Sequence, residues 1–494
     1  MFNYKHITII GCLIFCWGVL SPSPVIGKEY KQIPLAIQIS STVSDGKYGL
    51  EEIIYTVKEA GFKAVILTER DLMRWEYGIW PLRNVLKRKV ENNSLFRFGI
   101  KRYLDKIEEL KERNPDLMIL NGIESAPYYY WKGAPLSEDF SIINWHKHFL
   151  TFGLKKYADY ANLPVVGNLG ALALPRKIKN IFYLWPLFLI GLGVWFLLHR
   201  KFDYRDAKGM QLAPYSSVHR ITGIVLIIIG VLFVLENPRF VDYKFDQYSG
   251  DLKEIPYQNY INYVNSRGGM VFWAHPEAGN TQQENGITIE TKPQPEDMLA
   301  TSAYKGFAIF YEGYNKVGIP GGLWDKILLQ YCRKERQLPA WAIGALAFDT
   351  EPNLKKNLED LRNMVLVGEE NQEEVLRALS KGKNYVIRGG QSNNFILEKF
   401  MVKSNQEQAE WSGELKISQP PSVAIKGNFL DGQARNVLIK LIRDGEVIQV
   451  FDTLTPFAID YADNTTFPPG ESYYRLEITG KGLHVITNPI FVVR

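Results

Sequence analysis

The chain has 494 residues, of which 46% are hydrophobic and 22% are charged. These fractions are those of globular proteins, so the composition excludes a largely disordered chain, and the length allows several domains. The formal net charge is only +5 and no long basic run occurs, so we expect no nucleic-acid partner. Two of the three cysteines lie in the first apolar stretch, which leaves Cys332 without a downstream disulfide partner.

The first apolar stretch lies near the N-terminus. Residues 7–20 carry no charge, follow Lys5 and precede the sequence Ser-Pro-Ser-Pro. A short apolar segment with a basic start and small residues behind it is typical of a secretory signal peptide. We therefore predict that residues 1–27 are a signal peptide or an uncleaved N-terminal anchor. A buried core helix is the alternative.

Two further apolar segments lie in the middle of the chain. Residues 181–198 and 221–235 are uncharged. A helix of the first length spans about 27 Å, close to the ~30 Å hydrocarbon layer of a bilayer. We predict a transmembrane helical hairpin within a membrane insertion at residues 171–239, with the lipid bilayer as a partner. Neither segment has an ionisable residue at its centre, which favours anchoring over transport.

The charges around this hairpin indicate its orientation. The loop between the two segments carries five Lys or Arg residues against two Asp residues, which favours a cytoplasmic loop. Arg176, Lys177 and Lys179, just before the first segment, favour the opposite orientation. Because a signal peptide would place the bulk of the chain outside, we predict that the soluble parts are extracytoplasmic, in a periplasm or at a cell surface.

The sequence on both sides of the insertion alternates apolar runs with helical patterns. Strand-length apolar runs occur at residues 35–39, 64–67, 117–120, 149–153, 270–273, 307–310 and 341–348. Residues 50–60 and 100–113 have helical spacing, and Gly61 suits a helix C-cap. This alternation predicts an α/β fold with a parallel sheet covered on both faces. Seven strands are enough for a barrel, assembled from residues 34–170 and 240–392.

The pattern changes after residue 392. Short alternating strands such as VLIKLIRDG and YYRLEITG follow one another with Gly, Pro and Asn between them and no strong helical pattern. Such spacing is typical of a β-sandwich. We predict a separate β-sandwich domain at residues 393–494.

Polar side chains gather where the predicted barrel strands end. In chain order they are Gln38, Ser40, Asp45, Glu69, Arg70, Glu124, His148, His275, Glu312, Asp349 and Glu351. In parallel barrels the chemistry sits at the carboxyl ends of the strands. Carboxylate oxygens and imidazole nitrogens are ligands for divalent cations. The sequence therefore predicts a metal or ligand site at this mouth.

The order of these motifs resembles the polymerase and histidinol phosphatase (PHP) family. The matching motifs are Ser44-Asp45-Gly46, Thr68-Glu69-Arg70, Gly122-Ile123-Glu124, His148-Phe149-Leu150, Ala274-His275-Pro276 and Asp349-Thr350-Glu351. The resemblance covers residues 34–390 apart from the membrane insertion. It implies a distorted seven-stranded (β/α) barrel that hydrolyses phosphate esters with a cluster of metal ions. It further implies the ligands Asp45, Glu124, His148, His275 and Asp349.

Four positions depart from the family's pattern. Gln38, Ser40, Arg70 and Glu351 stand where the family uses imidazole ligands. Neutral Gln and Ser are poor ligands for a zinc-like ion, and a guanidinium adds a fixed positive charge. At ~4 Å and an effective dielectric constant of ~20, two like charges repel by about 4 kcal/mol. We therefore expect that a full multi-metal cluster does not form.

Two hypotheses follow for the mouth. In the first, which we prefer, hydrolysis has been lost, Arg70 neutralises the acidic residues, and the mouth binds a ligand or a partner protein. In the second, one Mn, Zn or Mg ion remains on the retained acidic and imidazole ligands and activates water for phosphate ester hydrolysis. Purely structural roles are the alternative for single residues: Glu124 and Asp349 as helix N-caps, and His275 as a buried residue closing a strand.

A third hypothesis places the function in the helical hairpin. The barrel and the β-sandwich would then form a sensor or an assembly scaffold for membrane proteins that the sequence does not identify. Glycines in both apolar segments would allow the close helix contact that such an assembly needs.

Overall fold

The computed structural model describes residues 30–135, 137–174, 178–198, 215–284, 286–346, 353–392, 394–465 and 470–494. The predicted signal segment and the loop between the apolar helices lie outside these ranges. Asp349 and Glu351 also lie outside them. Within the described ranges the chain is a mixed α/β protein with one large sheet and two long apolar helices.

The first part of the chain supplies eight strands and five helices. The strands are β1 (Lys31–Ile39), β2 (Ala64–Arg70), β3 (Arg74–Gly78), β4 (Lys87–Glu91), β5 (Met118–Ser125), β6 (Tyr130–Lys132), β7 (Ser141–Ile143) and β8 (Phe149–Phe152). The helices are α1 (Leu50–Glu59), α2 (Leu95–Phe98), α3 (Ile100–Arg113), α4 (Tyr157–Ala161) and α5 (Leu169–Leu172). The four buried residues of α1 recur at helical spacing, and Gly61 beyond its end has φ +77°, as a C-terminal turn requires.

The two apolar helices come next in the chain, followed by the second half of the large sheet. A 3₁₀ segment (Ile178–Leu184) leads into α6 (Trp185–Leu198), and α7 spans Tyr215–Glu236. The next strands are β9 (Met270–Trp273), β10 (Asn280–Glu284), β11 (Ile287–Thr291), β12 (Gly306–Phe310), β13 (Trp341–Gly344), β14 (Leu361–Val367) and β15 (Asn384–Arg388). The helices among them are α8 (Ile255–Ser266), α9 (Asp297–Ala300), α10 (Leu323–Cys332), α11 (Leu354–Asp360) and α12 (Gln372–Ser380).

Each of the seven predicted apolar runs overlaps a strand of the large sheet. Its order is β13-β12-β9-β8-β5-β2-β1-β14-β15, continued by C-terminal strands. The pairs β1–β2, β2–β5, β9–β12 and β12–β13 are parallel, whereas β8 is antiparallel to both β5 and β9. The expectation of a wholly parallel sheet is therefore wrong for β8. As a result, the beginning of β8 lies beside the end of β5.

In the described part of the chain, side chains of β14 and β15 contact β13, the strand at the beginning of the sheet order. The ladder begins at β13, and asparagine amides contact the backbone of this strand. The Gly344 N–H donates to Asn363 Oδ1 (2.7 Å), and Asn384 Nδ2 donates to the Ala342 carbonyl (2.9 Å). One backbone bond, from Leu346 N–H to the Ile37 carbonyl (3.0 Å), adds to them. A barrel closed by a continuous ladder stays a prediction.

Both faces of the central strands are buried. On β2, Ala64 and Ile66 belong to an inner apolar cluster, while Val65 and Leu67 pack in the larger cluster that the helices cover. Successive strand residues point to opposite faces. This explains why the central strands read as continuous apolar runs in the sequence.

The C-terminal part adds ten strands: β16 (Phe395–Ser404), β17 (Glu407–Glu410), β18 (Glu414–Lys416), β19 (Ser422–Phe429), β20 (Asn436–Arg443), β21 (Glu446–Leu454), β22 (Phe457–Ala462), β23 (Glu471–Gly480), β24 (Leu483–Thr487) and β25 (Ile490–Val493). The sheet β17-β16-β19-β22 packs over a core shared with β14, β15, β20, β23 and β24. Because β15 pairs with β24, the large sheet continues into this region without a break.

The two apolar helices pack tightly against each other. A Cβ atom on Gly193 would lie 2.7 Å from the Gly223 carbonyl oxygen, and one on Gly230 would lie 2.8 Å from the Pro186 carbonyl oxygen. Only glycine allows backbones to approach this closely. By length and composition, Ile181–Leu198 and Val218–Glu236 could each cross a membrane, and few of their residues are buried. The second helix begins earlier than the predicted residue 221.

Candidate functional site

The candidate site lies where β1, β2 and β5 end and β8 begins. The parallel register of β2 and β5 pairs Arg70 with Glu124, and the antiparallel register of β5 and β8 pairs Ser125 with Phe149. His148, immediately before β8, therefore reaches the same edge as the carboxyl ends of its neighbours. His275 follows β9 and joins them.

Three predicted ligands form one cluster, which we call the triad. The ligand atoms of Glu124, His148 and His275 all lie within 4.8 Å of one another. Glu124 Oε1 is 3.0 Å from His148 Nδ1 and 3.4 Å from His275 Nε2. The Glu124 and His148 side chains are only 4% and 5% exposed. One carboxylate and two imidazoles at this spacing match the donor types of a zinc-like ion.

Two residues at this edge have left-handed backbone. Gln38 has φ +65° and His275 has φ +29°, in a region that non-glycine residues enter at a cost and that is common at functional sites. At Gln38 the β1–β2 register shifts between Ile37 and Ile39, as in a β-bulge. The shifted side chain donates from Nε2 to Glu124 Oε2 (3.1 Å).

Arg70 contacts the triad directly. Its Nη1 lies 2.9 Å from Glu124 Oε1 and 2.6 and 2.8 Å from the two ring nitrogens of His148. Its Nε donates to Asp45 Oδ2 at 2.8 Å. The Arg70 side chain is only 9% exposed, whereas that of Asp45 is 25% exposed. The guanidinium therefore bridges the buried Glu124 and the more accessible Asp45.

The charges at this edge shift two pKa values. Burial raises the pKa of Glu124, but the Arg70 charge and the hydrogen bonds of His148 and His275 outweigh it and hold this pKa well below its ordinary value. Burial, with a further contribution from the Arg70 charge, lowers the pKa of His148 to about 3. At neutral pH the site therefore contains a carboxylate, a neutral imidazole and a guanidinium.

The triad fits one metal ion, but Arg70 competes with an ion for the same ligand atoms. Glu124 Oε1 is buried without a hydrogen bond of good geometry, although three nitrogens surround it, and such an oxygen has a lone pair to offer. The neutral His148 ring has one nitrogen with a lone pair to offer an ion. The Arg70 Nη1, however, lies against both ligands, so an ion on them would require the guanidinium to move away.

The other predicted site residues are not members of the triad. Asp45 is linked to it through Arg70, and Ser40 follows β1 in a half-buried position. Asp349 and Glu351 lie outside the described residues. His146, two residues before His148, has its ring centroid 5.7 Å from that of His148 and its Nε2 at 3.1 Å from Gln282 Nε2.

Two buried acids beside the site, Glu69 and Asp71, have roles that the sequence did not predict. Glu69 accepts hydrogen bonds from the Ser41 amide and from the Ser41 and Ser44 hydroxyls, so it fastens the turn that carries Asp45 and does not pair with a neighbouring arginine. Burial raises the pKa of Asp71 to about 7, despite hydrogen bonds from Ser125 and the Leu72 amide. The apolar run at residues 64–67 was the available signal, because it predicts a buried strand and an acid at the end of such a strand needs hydrogen-bond donors from within the protein.

Little open space adjoins the triad in the described structure. A cavity of about 20 Å³ is lined by Arg70, Asp71, Leu72, Met73, Glu124, Ala126, Trp145, His146 and His148. This volume accommodates roughly one water molecule. A larger ligand would have to bind at the more open side, where Asp45 is partly exposed.

Comparisons with known proteins give structural neighbours only. No protein-family model and no curated protein matches the chain. The crystal structure of a two-domain protein from Bacteroides vulgatus, containing a predicted PHP-like metal-dependent phosphoesterase, is 12% identical with a TM-score of 0.33 and a coverage of 90% of each chain. A putative metal-dependent phosphoesterase from Bifidobacterium adolescentis is 15% identical, with a TM-score of 0.28 and coverages of 65% of this chain and 88% of that one.

Proposed function

We propose that this chain is a membrane-anchored, PHP-like binding protein in which the Arg70 guanidinium takes the place of a metal ion and which does not hydrolyse phosphate esters. The contact of Arg70 Nη1 with Glu124 Oε1 at 2.9 Å carries the proposal. In this role the site binds a ligand or a partner protein at its more open side, where Asp45 is partly exposed.

The charge balance around Arg70 supports this proposal. The guanidinium stays protonated at any physiological pH, and it lies between two carboxylates, Glu124 and Asp45. It therefore supplies a positive charge where an ion would otherwise supply it. Removing one partner of such a buried pair costs about 3–5 kcal/mol, so displacing Arg70 by an ion would have to offset a loss of this order.

A single-metal phosphoesterase is the second candidate, and the triad favours it, since Glu124 Oε1 has ion-pair contacts but no hydrogen bond of good geometry. Glu124, His148 and His275 would hold the ion, and Arg70 would keep its contact with Asp45. A bound ion would supply a water molecule activated for attack on phosphorus. Arg70, moved off the triad, would then be available to bind a phosphate oxygen.

Metal content and phosphatase activity of the full chain separate these two functions. We expect substoichiometric Mn, Zn and Mg after purification, and no turnover of an aryl phosphate with any of these ions added. His275→Ala should change neither result, and His146→Ala, outside the triad, serves as the matched control. Stoichiometric metal with turnover that His275→Ala abolishes and His146→Ala retains would establish the hydrolase instead.

Membrane anchoring is proposed from the two exposed apolar helices. Exposed apolar surface of this length is costly in water, and a bilayer removes that cost. We expect the full chain to stay in the membrane pellet after extraction at alkaline pH and to require detergent for release. Release by alkali alone would contradict the anchoring.

A further inference from the structure

The hairpin between β3 and β4 exposes large apolar side chains at its tip, residues 79–86. Ile79, Trp80 and Leu86 are 60%, 76% and 52% exposed. The tip is internally hydrogen-bonded: the Ile79 amide donates to the Leu86 carbonyl at 2.9 Å and the Val85 amide to the Leu82 carbonyl at 3.1 Å. An ordered turn that presents a tryptophan and two aliphatic side chains to solvent is unusual in a water-facing loop.

This tip contacts the end of an apolar helix. The Asn84 backbone N–H donates to Glu236 Oε2 (2.7 Å), and Asn84 Nδ2 donates to the Glu236 carbonyl (2.8 Å). Glu236 is the last residue of α7, so Asn84 caps the helix C-terminus. The tip therefore lies at the level where α7 would leave the hydrocarbon layer.

The residues that follow the tip are basic. Lys87, Arg88 and Lys89 are exposed on β4. Tryptophan and basic residues beside apolar side chains are typical of segments at the boundary between headgroups and acyl chains. Both the composition of the tip and its contact with α7 favour lipid as the covering partner.

We propose that residues 79–86 insert into the headgroup–acyl boundary of the leaflet in which α7 ends. This proposal rests on the membrane anchoring proposed above. The inserted tip gives the soluble part a second attachment to the bilayer besides the helical hairpin. It also ties β3, which begins four residues after Arg70, to the membrane surface.

Site-specific fluorescence in nanodiscs tests this insertion. A full-length chain with its three native cysteines replaced receives an environment-sensitive fluorophore through Trp80→Cys, Leu86→Cys, Val225→Cys or Leu454→Cys in turn. Val225 is 46% exposed on α7 and reports anchoring, while Leu454 is 55% exposed on the far edge strand β21 and is the matched soluble position. One set of discs contains lipids brominated near the headgroup, to quench positions 80 and 86, and a second set contains lipids brominated deep in the acyl chains, to quench position 225 near the middle of the proposed span.

We expect blue-shifted emission and quenching by the brominated lipid at positions 80 and 86, and neither effect at position 454. Quenching at 225 with position 80 and position 86 behaving like 454 would overturn the insertion while leaving the anchoring intact. Absence of quenching at 225 would overturn the anchoring and the insertion together. Protection of position 80 from a water-soluble quencher without quenching by lipid would indicate a protein partner and would also overturn the proposal.

Discussion

Arg70 determines the charge balance of the candidate site, because this one side chain contacts both the triad and Asp45, the acid outside the triad. Its Nη1 lies against Glu124 and His148, and its Nε holds Asp45. Arginine suits this position because its guanidinium presents several donors in fixed directions. A lysine there would offer a single point of contact and would leave one of the two carboxylates without a partner.

Asp71 gives the site region a measurable pH dependence. Its pKa is raised from 3.8 to about 7 by burial, so the folded state binds a proton that the unfolded state has released between these values. Stability is therefore lost as pH rises from about 4 to about 7, and the loss is complete above that range. We predict that Asp71→Asn increases the free energy of unfolding in detergent at pH 8 by about 1–3 kcal/mol, measured as a rise in Tm.

The pH profile distinguishes this cause from a change in packing. At pH 4, close to the ordinary pKa of 3.8, the wild-type side chain is neutral in the folded state and only partly ionised in the unfolded state, so most of the gain from Asp71→Asn should disappear. An equal gain in Tm at pH 4 and pH 8 would show that ionisation of Asp71 does not limit stability.

At the scale of elements, continuous apolar runs predicted strands of the large sheet because both faces of the central strands are buried. Periodicity contains no information on strand direction, and the reversed β8 was missed for that reason. The position of His148 was still predicted correctly at the head of its strand, and the reversal brings that head to the mouth. Gln38 was read as a lost ligand, whereas the bulge that aims it at Glu124 depends on register and could not be predicted.

The glycines of the helical pair allow a controlled test within one helix. Gly193 faces the Gly223 carbonyl, where a Cβ would lie 2.7 Å away, whereas a Cβ on Gly191 would meet nothing within 4 Å. We predict that Gly193→Val destabilises the chain in detergent by about 1–3 kcal/mol through overpacking. Gly191→Val should leave the Tm nearly unchanged. Equal effects of the two substitutions would contradict the observed packing of α6 on α7.

At the scale of the whole molecule, one buried ion pair ties the C-terminal strands to the helical layer. Arg475 on β23 contacts Asp325 on α10 through Nε at 2.8 Å and Nη2 at 2.6 Å. Tyr473 donates to the same carboxylate at 2.7 Å. Both charged side chains are almost completely buried. Together with the β15–β24 pairing, this contact joins the two parts into one packed structure.

We predict that Asp325→Asn lowers the free energy of unfolding by about 3–5 kcal/mol, because it leaves the Arg475 charge buried without its partner. The double variant Asp325→Leu with Arg475→Met should be less destabilised than this single variant. Asp431→Asn, which breaks the exposed pair with Arg435, is the control and should have a much smaller effect. A double variant at least as unstable as Asp325→Asn would show that the uncompensated charge of Arg475 is not the cause of the loss.

The connection between the parts was not predictable from the chain. The change of pattern near residue 393 correctly indicated short alternating strands, but local patterns do not reveal which edge a strand joins, and β24 joins β15. The site was predicted in part for a similar reason. The predicted strand ends indicated that Glu124, His148 and His275 lie at one edge. The contact of Arg70 with them depends on the direction of its side chain, which the sequence does not show.

Metal affinity of an Arg70 variant tests the central proposal most directly. Titration calorimetry with Zn²⁺ should show weak binding by the full-length wild type and binding at least about tenfold tighter by Arg70→His, since a repelling charge is removed and an imidazole added. Arg74→His is the control for an added histidine and should bind like wild type, and His275→Ala in the Arg70→His background should abolish the gain. Tight stoichiometric binding by the wild type, unchanged in Arg70→His, would contradict the view that Arg70 takes the place of the metal.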